Sequence, residues 1–196
     1  MNSLVRLGFA LALLPAAACT PNPANPVAST IPQPPATSPT VSAADSSFAL
    51  QAARSDLFEI TSSQIALQKA RTPAVRAYAQ QMVDQHTQST QDLNRLVAAK
   101  GISVPQPPGL EPVQQQAVGV LQDLSPGRAF ERAYISGQIT GHSATVQSYE
   151  QQIALGTDPE LKAFAQRYLP HVQQHLDEAR RLDNRRENRA ARRDAS

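Results

Sequence analysis

The sequence predicts an all-α fold: a ferritin-like antiparallel four-helix bundle made of two repeated helical hairpins with a long crossover. The segment QIAL occurs at 64–67 and again at 152–155. Each copy is followed, after a short break, by a segment with proline in second position, TPAVRAYAQQMV at 72–83 and DPELKAFAQRYL at 158–169. One hairpin cannot bury its apolar face alone, so the two should pack together. The alternative is a plain up-down-up-down bundle.

The first hairpin is defined by its turn chemistry and apolar periodicity. The first helix should run from about Ser46 to Ala70. Thr72 as N-cap and Pro73 at the first helical position start the second helix, which Gly101 ends. Residues at helical spacing predict the apolar stripe of the first helix: Leu50, Ala53, Leu57, Ile60 and Leu67.

The crossover is rich in proline, and residues 112–123 could form a short helix within it. The third helix should begin at Ser125, which proline follows, and end at Gly156. The fourth begins at Asp158, again followed by proline, and Pro170 should kink it because proline lacks a backbone donor.

The N-terminus, residues 1–19, reads as a lipoprotein-type signal peptide. Arg6 precedes the apolar run Leu7–Leu14, and small residues lead to Cys19, the only cysteine in the chain. The run is too short for a permanent membrane span. This resembles a signal whose cysteine is acylated, and Thr20 after it favours the outer membrane, on its periplasmic side. The alternative is an ordinary signal peptide, which would leave the protein soluble in the periplasm or secreted.

Residues 20–44 contain seven prolines and read as a disordered linker, and the folded region is predicted over 45–183. The C-terminal tail, 184–196, is rich in arginine. A basic surface there could contact an anionic polymer of the cell envelope, or it could be a solvated extension of the last helix. No aromatic stacking platform accompanies it, which argues against nucleic acid. The arginines concerned are two that lie just before the tail, Arg180 and Arg181, and five within it, Arg185, Arg186, Arg189, Arg192 and Arg193.

Polar residues are expected at mid-height in the apolar core. Glu59, His86, His142 and His175 lie near the middle of their predicted helices. At a rise of about 1.5 Å per residue, they agree in height within about one turn. His171 precedes His175 by one helical turn and could join them.

Two interpretations of this layer stay open. Imidazole and carboxylate together suit iron, zinc or copper, and bundle cores hold such sites. The sequence favours the other interpretation, neutral histidines that are hydrogen-bonded in a polar core without a cofactor. Val83 and Ile139 stand three residues before His86 and His142, where a di-iron site would place glutamates, so a di-iron oxidase is not expected.

The region from about 46 to 182 resembles the domain of unknown function 4142 family of bacterial ferritin-like outer-membrane or exported proteins. By this resemblance His86, His142 and His175 are motif positions and His171 is not. The family often has aspartate before the first two histidines, where this chain has glutamine and glycine. The matching pieces are Glu59, VRAYAQQMVDQH at 75–86, AFERAYI at 129–135, His142 and DPELKAFAQRYLPHVQQHLDEA at 158–179.

These observations support two functional hypotheses. The first is a membrane-tethered periplasmic module with a binding or structural role in the envelope or in its stress response. The second is a metal-binding or metal-dependent redox protein that uses the Glu/His layer. No nucleophile–base arrangement or phosphate-cradling loop is visible, so the sequence favours a non-enzyme. Partner, ligand and oligomeric state are not encoded in any recognisable motif.

Overall fold

The computed structural model describes residues 41–194, with side chains through 185. The predicted signal peptide, Cys19 and nearly all of the linker lie outside these residues. Within them the chain is helical and has no strands, which confirms the predicted all-α fold. No helix in the described range is both long enough and apolar enough to cross a membrane. The five helices are α1 (Ala43–Lys69), α2 (Pro73–Lys100), α3 (Pro112–Asp123), α4 (Arg128–Leu155) and α5 (Pro159–Asp194).

Two buried carboxylates fix the topology of the four long helices. Near the start of α1, Asp45 accepts hydrogen bonds from the backbone N–H groups of Thr157 and Asp158, just before α5. Near the start of α4, Glu131 accepts hydrogen bonds from Thr72 and the residue before it, just before α2. Hence α1 begins where α5 begins, and α4 begins where α2 begins.

This arrangement is up-down-down-up, and it separates the two topologies that the sequence allowed. Lys100 at the end of α2 forms an ion pair with Asp158, 2.7 Å away, whereas α4 begins at the opposite end of the bundle. The chain must therefore travel the length of the bundle between the two hairpins. Helix α3 lies on this path and packs against α1 and α4. A plain up-down-up-down bundle would place the start of α4 beside the end of α2.

Helix boundaries follow most of the turn signals, with differences at the starts of α1 and α4 and at the end of α5. The crossover helix occupies the predicted range, and α2 ends at Gly101 with a left-handed φ of 65°. Helix α4, however, begins at Arg128 rather than at Ser125, because Gly127 at φ 146° reverses the chain after the serine and proline. Helix α5 continues through Pro170 and through the predicted tail as far as Asp194.

The core consists of two apolar clusters with polar side chains between them. One cluster includes Phe48, Leu93 and Tyr149, and the other includes Met82 and Tyr134. On α1 the predicted apolar stripe is mostly wrong: of its members Ala53 is buried and Leu67 packs against the second cluster, but all four larger members are only half-buried. Small and polar residues face the core instead, since close helix contact favours small side chains. They include Ala49, Ala52, Asp56, Glu59, Ser63 and Ala66.

Candidate functional site

Three of the four histidines meet between the two apolar clusters. His86 on α2, His142 on α4 and His175 on α5 are all buried. One ring nitrogen from each lies within 4.8 Å of the other two. Nε2 of His142 is 3.3 Å from Nδ1 of His175. The fold therefore brings three residues distant in sequence into one cluster, which we call the histidine cluster.

The ring nitrogens that point away from this cluster all face oxygen atoms. His86 Nδ1 lies 2.8 Å from Asp56 Oδ1, and His142 Nδ1 lies 2.9 Å from the backbone carbonyl of Gln138. His175 Nε2 lies 2.6 Å from Gln85 Oε1. A carbonyl or carboxylate oxygen can only accept, so each of these ring nitrogens donates its proton outward.

Outward donation leaves a lone pair on each inward nitrogen of a neutral imidazole. The inward atoms are His86 Nε2, His142 Nε2 and His175 Nδ1. Of these, His86 Nε2 is buried and has no hydrogen-bond partner. His142 and His175 then present two lone pairs to each other at 3.3 Å, which is repulsive without a cation or proton between them. The cluster is thus an arrangement of converging electron-pair donors.

Electrostatics keep two of the three rings neutral. Burial lowers the pKa of His175 to about 3, and the charge on His86 acts in the same direction. Burial, assisted by His86 and His175, holds the pKa of His142 well below its usual value. For His86, burial acts downward, but the hydrogen bond and charge of Asp56 outweigh it and raise the pKa. His86 therefore holds a second proton more readily than the other two rings, and a metal ion would displace that proton from Nε2. A carboxylate behind an imidazole also makes the opposite nitrogen a stronger donor to a metal.

Glu59 lies beside the histidine cluster rather than in it. Its Oε1 is 3.5 Å from His142 Nδ1, on the outward side of that ring. Neither carboxyl oxygen accepts a hydrogen bond of good geometry from the described residues. Burial raises the pKa of Glu59 to about 8, although the charge of His86 acts in the opposite direction. Gly141 makes room for this carboxyl: a Cβ there would be 2.8 Å from Oε1.

The other candidate residues lie elsewhere. His171 is exposed and does not join the cluster. Among the arginines, Arg180, Arg181 and Arg185 are exposed and pair with acidic residues of their own helix. The remaining four lie in the part of α5 whose side chains are not described: Arg186, Arg189, Arg192 and Arg193.

Sequence reasoning missed Asp56. It lies three residues before Glu59, on the same face of α1, and this spacing was an available signal. The signal was missed because the predicted apolar stripe assigned a different face of α1 to the core. The hydroxyl of Thr90 supports Asp56 from α2 at 3.3 Å.

The donor set has the chemistry of a transition-metal site, and one of its three nitrogen pairs has the spacing that zinc requires. Two imidazole nitrogens bound tetrahedrally at about 2.0–2.1 Å from zinc are about 3.3–3.4 Å apart, and the His142–His175 separation is 3.3 Å. Ligating histidines in proteins usually donate their other N–H to a carboxylate, a carbonyl or water. The outward partners here are a carboxylate, a backbone carbonyl and a side-chain amide oxygen. Zinc, copper and iron all accept imidazole.

Fold and cluster together define a helical-bundle protein with three buried histidines at its centre. A family model described as "Domain of unknown function (DUF4142)" matches residues 30–182, most of the chain, and the protein belongs to that family.

One solved structure is similar, a DUF305 fragment from Deinococcus radiodurans. It shares 15% identity at a TM-score of 0.65, over 75% of this chain and 99% of that one. At that identity the likeness shows the fold alone. No curated protein matches.

Proposed function

We propose that this protein binds one transition-metal ion, zinc, copper or iron, through His86, His142 and His175. One observation carries the proposal: three inward ring nitrogens converge while each outward nitrogen has an oxygen acceptor. A metal ion would use all three lone pairs at once. It would also supply the partner that His86 Nε2 lacks, and a buried polar atom without a partner costs about 1–3 kcal/mol.

The competing interpretation is a purely structural polar layer. It provides partners for fewer of the buried ring nitrogens. Rotating the amide of Gln85 would let it donate to His175 Nε2, and His175 Nδ1 could then donate to His142. That rearrangement removes the repulsion between the two rings. It leaves His86 Nε2 without a hydrogen-bond partner among the described residues. The metal-binding interpretation accounts for that nitrogen as well, and we therefore prefer it.

Metal binding should appear as a stoichiometric and stabilising event. Purified protein, stripped with a chelator and reloaded separately with zinc, copper or iron, should hold one ion per chain by elemental analysis. At a free-metal concentration a hundredfold above Kd, the gain is about 2.7 kcal/mol. For a domain of this size that corresponds to a rise in Tm of roughly 5–10 °C. Unchanged melting with every metal, together with no bound ion, would contradict the proposal.

The matched variants are His142→Leu and His171→Leu, both on the bundle but only one in the cluster. His142→Leu should abolish the metal-dependent rise in Tm. Its metal-free stability should fall by about 1–3 kcal/mol, because leucine would lie against Glu59 and His175 and leave their buried polar atoms without a partner. His171→Leu changes an exposed histidine and should leave the stoichiometry at one.

We propose further that the domain is tethered in the bacterial envelope, as a lipoprotein of the outer membrane. The support is in the sequence: Arg6, the apolar run Leu7–Leu14 and the single Cys19. A linker rich in proline would hold the domain away from the lipid. The exposed arginines of α5 would then give a basic surface for an anionic envelope polymer.

The tether has a direct test in Cys19→Ser, which removes the only thiol of the chain. We expect the wild type to fractionate with membranes and to incorporate a labelled fatty acid. The variant should carry no label and should appear in the soluble fraction. Ser42→Ala, a comparable small change near the start of α1, is the control and should stay with the membranes. Membrane fractionation of Cys19→Ser would rule out acylation at this residue.

A further inference from the structure

A cavity of about 210 Å³ connects the histidine cluster with the surface between α2 and α5. Of the three histidines of the cluster, His86 and His175 line it and His142 does not. The exposed side chains of Arg167 and His171 also line it. The cluster is therefore reachable from one side. The other residues that line it are Asp56, Gln85, Gln88, Ser89, Tyr149, Tyr168 and Val172.

The number of protein ligands makes this opening important. Structural zinc sites are usually closed by four protein ligands, whereas reactive sites have three and keep a position for water or substrate. Here only three histidines converge. Glu59 does not complete the set, since its carboxyl approaches the outward nitrogen of His142. A metal ion held here would have at least one coordination position without a protein ligand.

Charge indicates what that position would accept. Three neutral imidazoles leave the full charge of a divalent ion, and Asp56 behind His86 offsets only one unit of it. Electrostatic interactions are strong in a buried site, so the remaining positive charge favours a monoanion. The cavity volume leaves room for a ligand of a few heavy atoms together with water.

We infer that the metal site is open, and that a small monoanion binds to the ion from the cavity between α2 and α5. This inference rests on the proposed function and goes beyond it, because a metal site with only a structural role would need no exchangeable ligand. In a protein with such an open site the metal ion can bind small solutes that enter from solution. Ser89, one turn after His86 on α2, lies where it would contact the anion.

The experiment uses full-length protein loaded with Co²⁺, whose visible absorption reports coordination. Cobalt content is measured first by elemental analysis, and sodium azide is then titrated at constant ionic strength. We expect a saturable spectral change that fits one azide per cobalt. Absence of bound cobalt would overturn the metal site itself. Bound cobalt with a spectrum that azide does not alter would overturn the open position while leaving the metal site standing.

A variant with a filled cavity tests whether azide reaches the metal ion through the cavity between α2 and α5. Ser89→Leu should fill the space beside His86, keep cobalt and weaken azide binding by about tenfold or more, since a steric cost of only about 1.4 kcal/mol is tenfold in Kd. Thr87→Leu adds the same bulk on the exposed side of α2 and should leave azide affinity unchanged. Val172→Phe, from α5, is the second plug if the first does not fold. Wild-type azide affinity in a folded, cobalt-loaded plug would overturn the assignment of the cavity.

Discussion

Replacing Asp45 with asparagine should lower the free energy of unfolding by about 2–4 kcal/mol, because a buried ionised acceptor is lost. The Asp45 carboxylate accepts 2.6 Å hydrogen bonds from the side chains of Ser42, Gln152 and Thr157. It also accepts from the backbone N–H groups of Thr157 and Asp158. Asparagine would turn an N–H₂ group toward these donors. Urea denaturation at pH 7 measures the difference.

The effect of Asp45 should depend on pH with a definite sign. Burial alone would raise the pKa of Asp45, but hydrogen bonds from Ser42, Thr157 and Gln152 outweigh it and hold the pKa well below the usual 3.8. A lowered folded-state pKa contributes stability above the unfolded pKa, and that contribution is lost as pH falls further. The wild type should therefore lose its advantage over Asp45→Asn progressively below about pH 4.

Asp177→Asn is the matched control, because Asp177 is exposed on α5 and lies 3.8 Å from Arg180. It should shift stability by less than about 0.5 kcal/mol at any pH, as surface substitutions usually do. A difference between wild type and Asp45→Asn that stays constant from pH 7 to pH 2 would show that the lost contacts do not depend on the charge of Asp45.

The fold could be predicted from the sequence because its signals are local. A repeated QIAL and a proline-started helix mark each hairpin, and such patterns depend on neighbouring residues only. The face that α1 turns to the core could not be predicted in this way. Close packing of helices selects small residues such as Ala49 and Ala52, whereas a hydrophobic stripe points to the larger leucines. The leucines are half-buried on the flanks of α1.

The candidate site also has features that the sequence predicts and features that it does not. The common height of His86, His142 and His175 follows from helix geometry, since each lies a similar distance from a hairpin turn. Two outward contacts, His86 with Asp56 and His175 with Gln85, depend on side-chain rotamers across two helices. The third, from His142, goes to a backbone carbonyl one turn earlier on the same helix. His171 shows the limit of spacing arguments. It is one turn from His175, yet Val172, three residues before His175, takes the core position and leaves His171 exposed.

Glu59→Gln should make the metal-free protein more stable than the wild type at pH 8, while the two should be nearly equal at pH 5. Burial raises the pKa of Glu59 from the ordinary value of 4.5 to about 8, with the charge of His86 acting in the opposite direction. A raised folded-state pKa contributes stability below the unfolded pKa, and that stability is lost as pH rises through the folded value. Glutamine has the shape of the protonated acid and does not titrate.

The difference in the free energy of unfolding between Glu59→Gln and the wild type should grow between about pH 5 and pH 8. It should reach roughly 2–4 kcal/mol, given about 1.4 kcal/mol for each unit of pKa difference. Chemical denaturation with a chelator present, at several pH values, measures it. Glu150→Gln, on the exposed face of α4, is the control and should follow the wild type at every pH. If wild type and Glu59→Gln run parallel from pH 5 to pH 8, the carboxyl ionises normally in the folded protein. Glu59 would then carry a negative charge beside His142 at neutral pH. That charge would offset part of the charge of a bound metal ion and weaken the binding of an anion from solution.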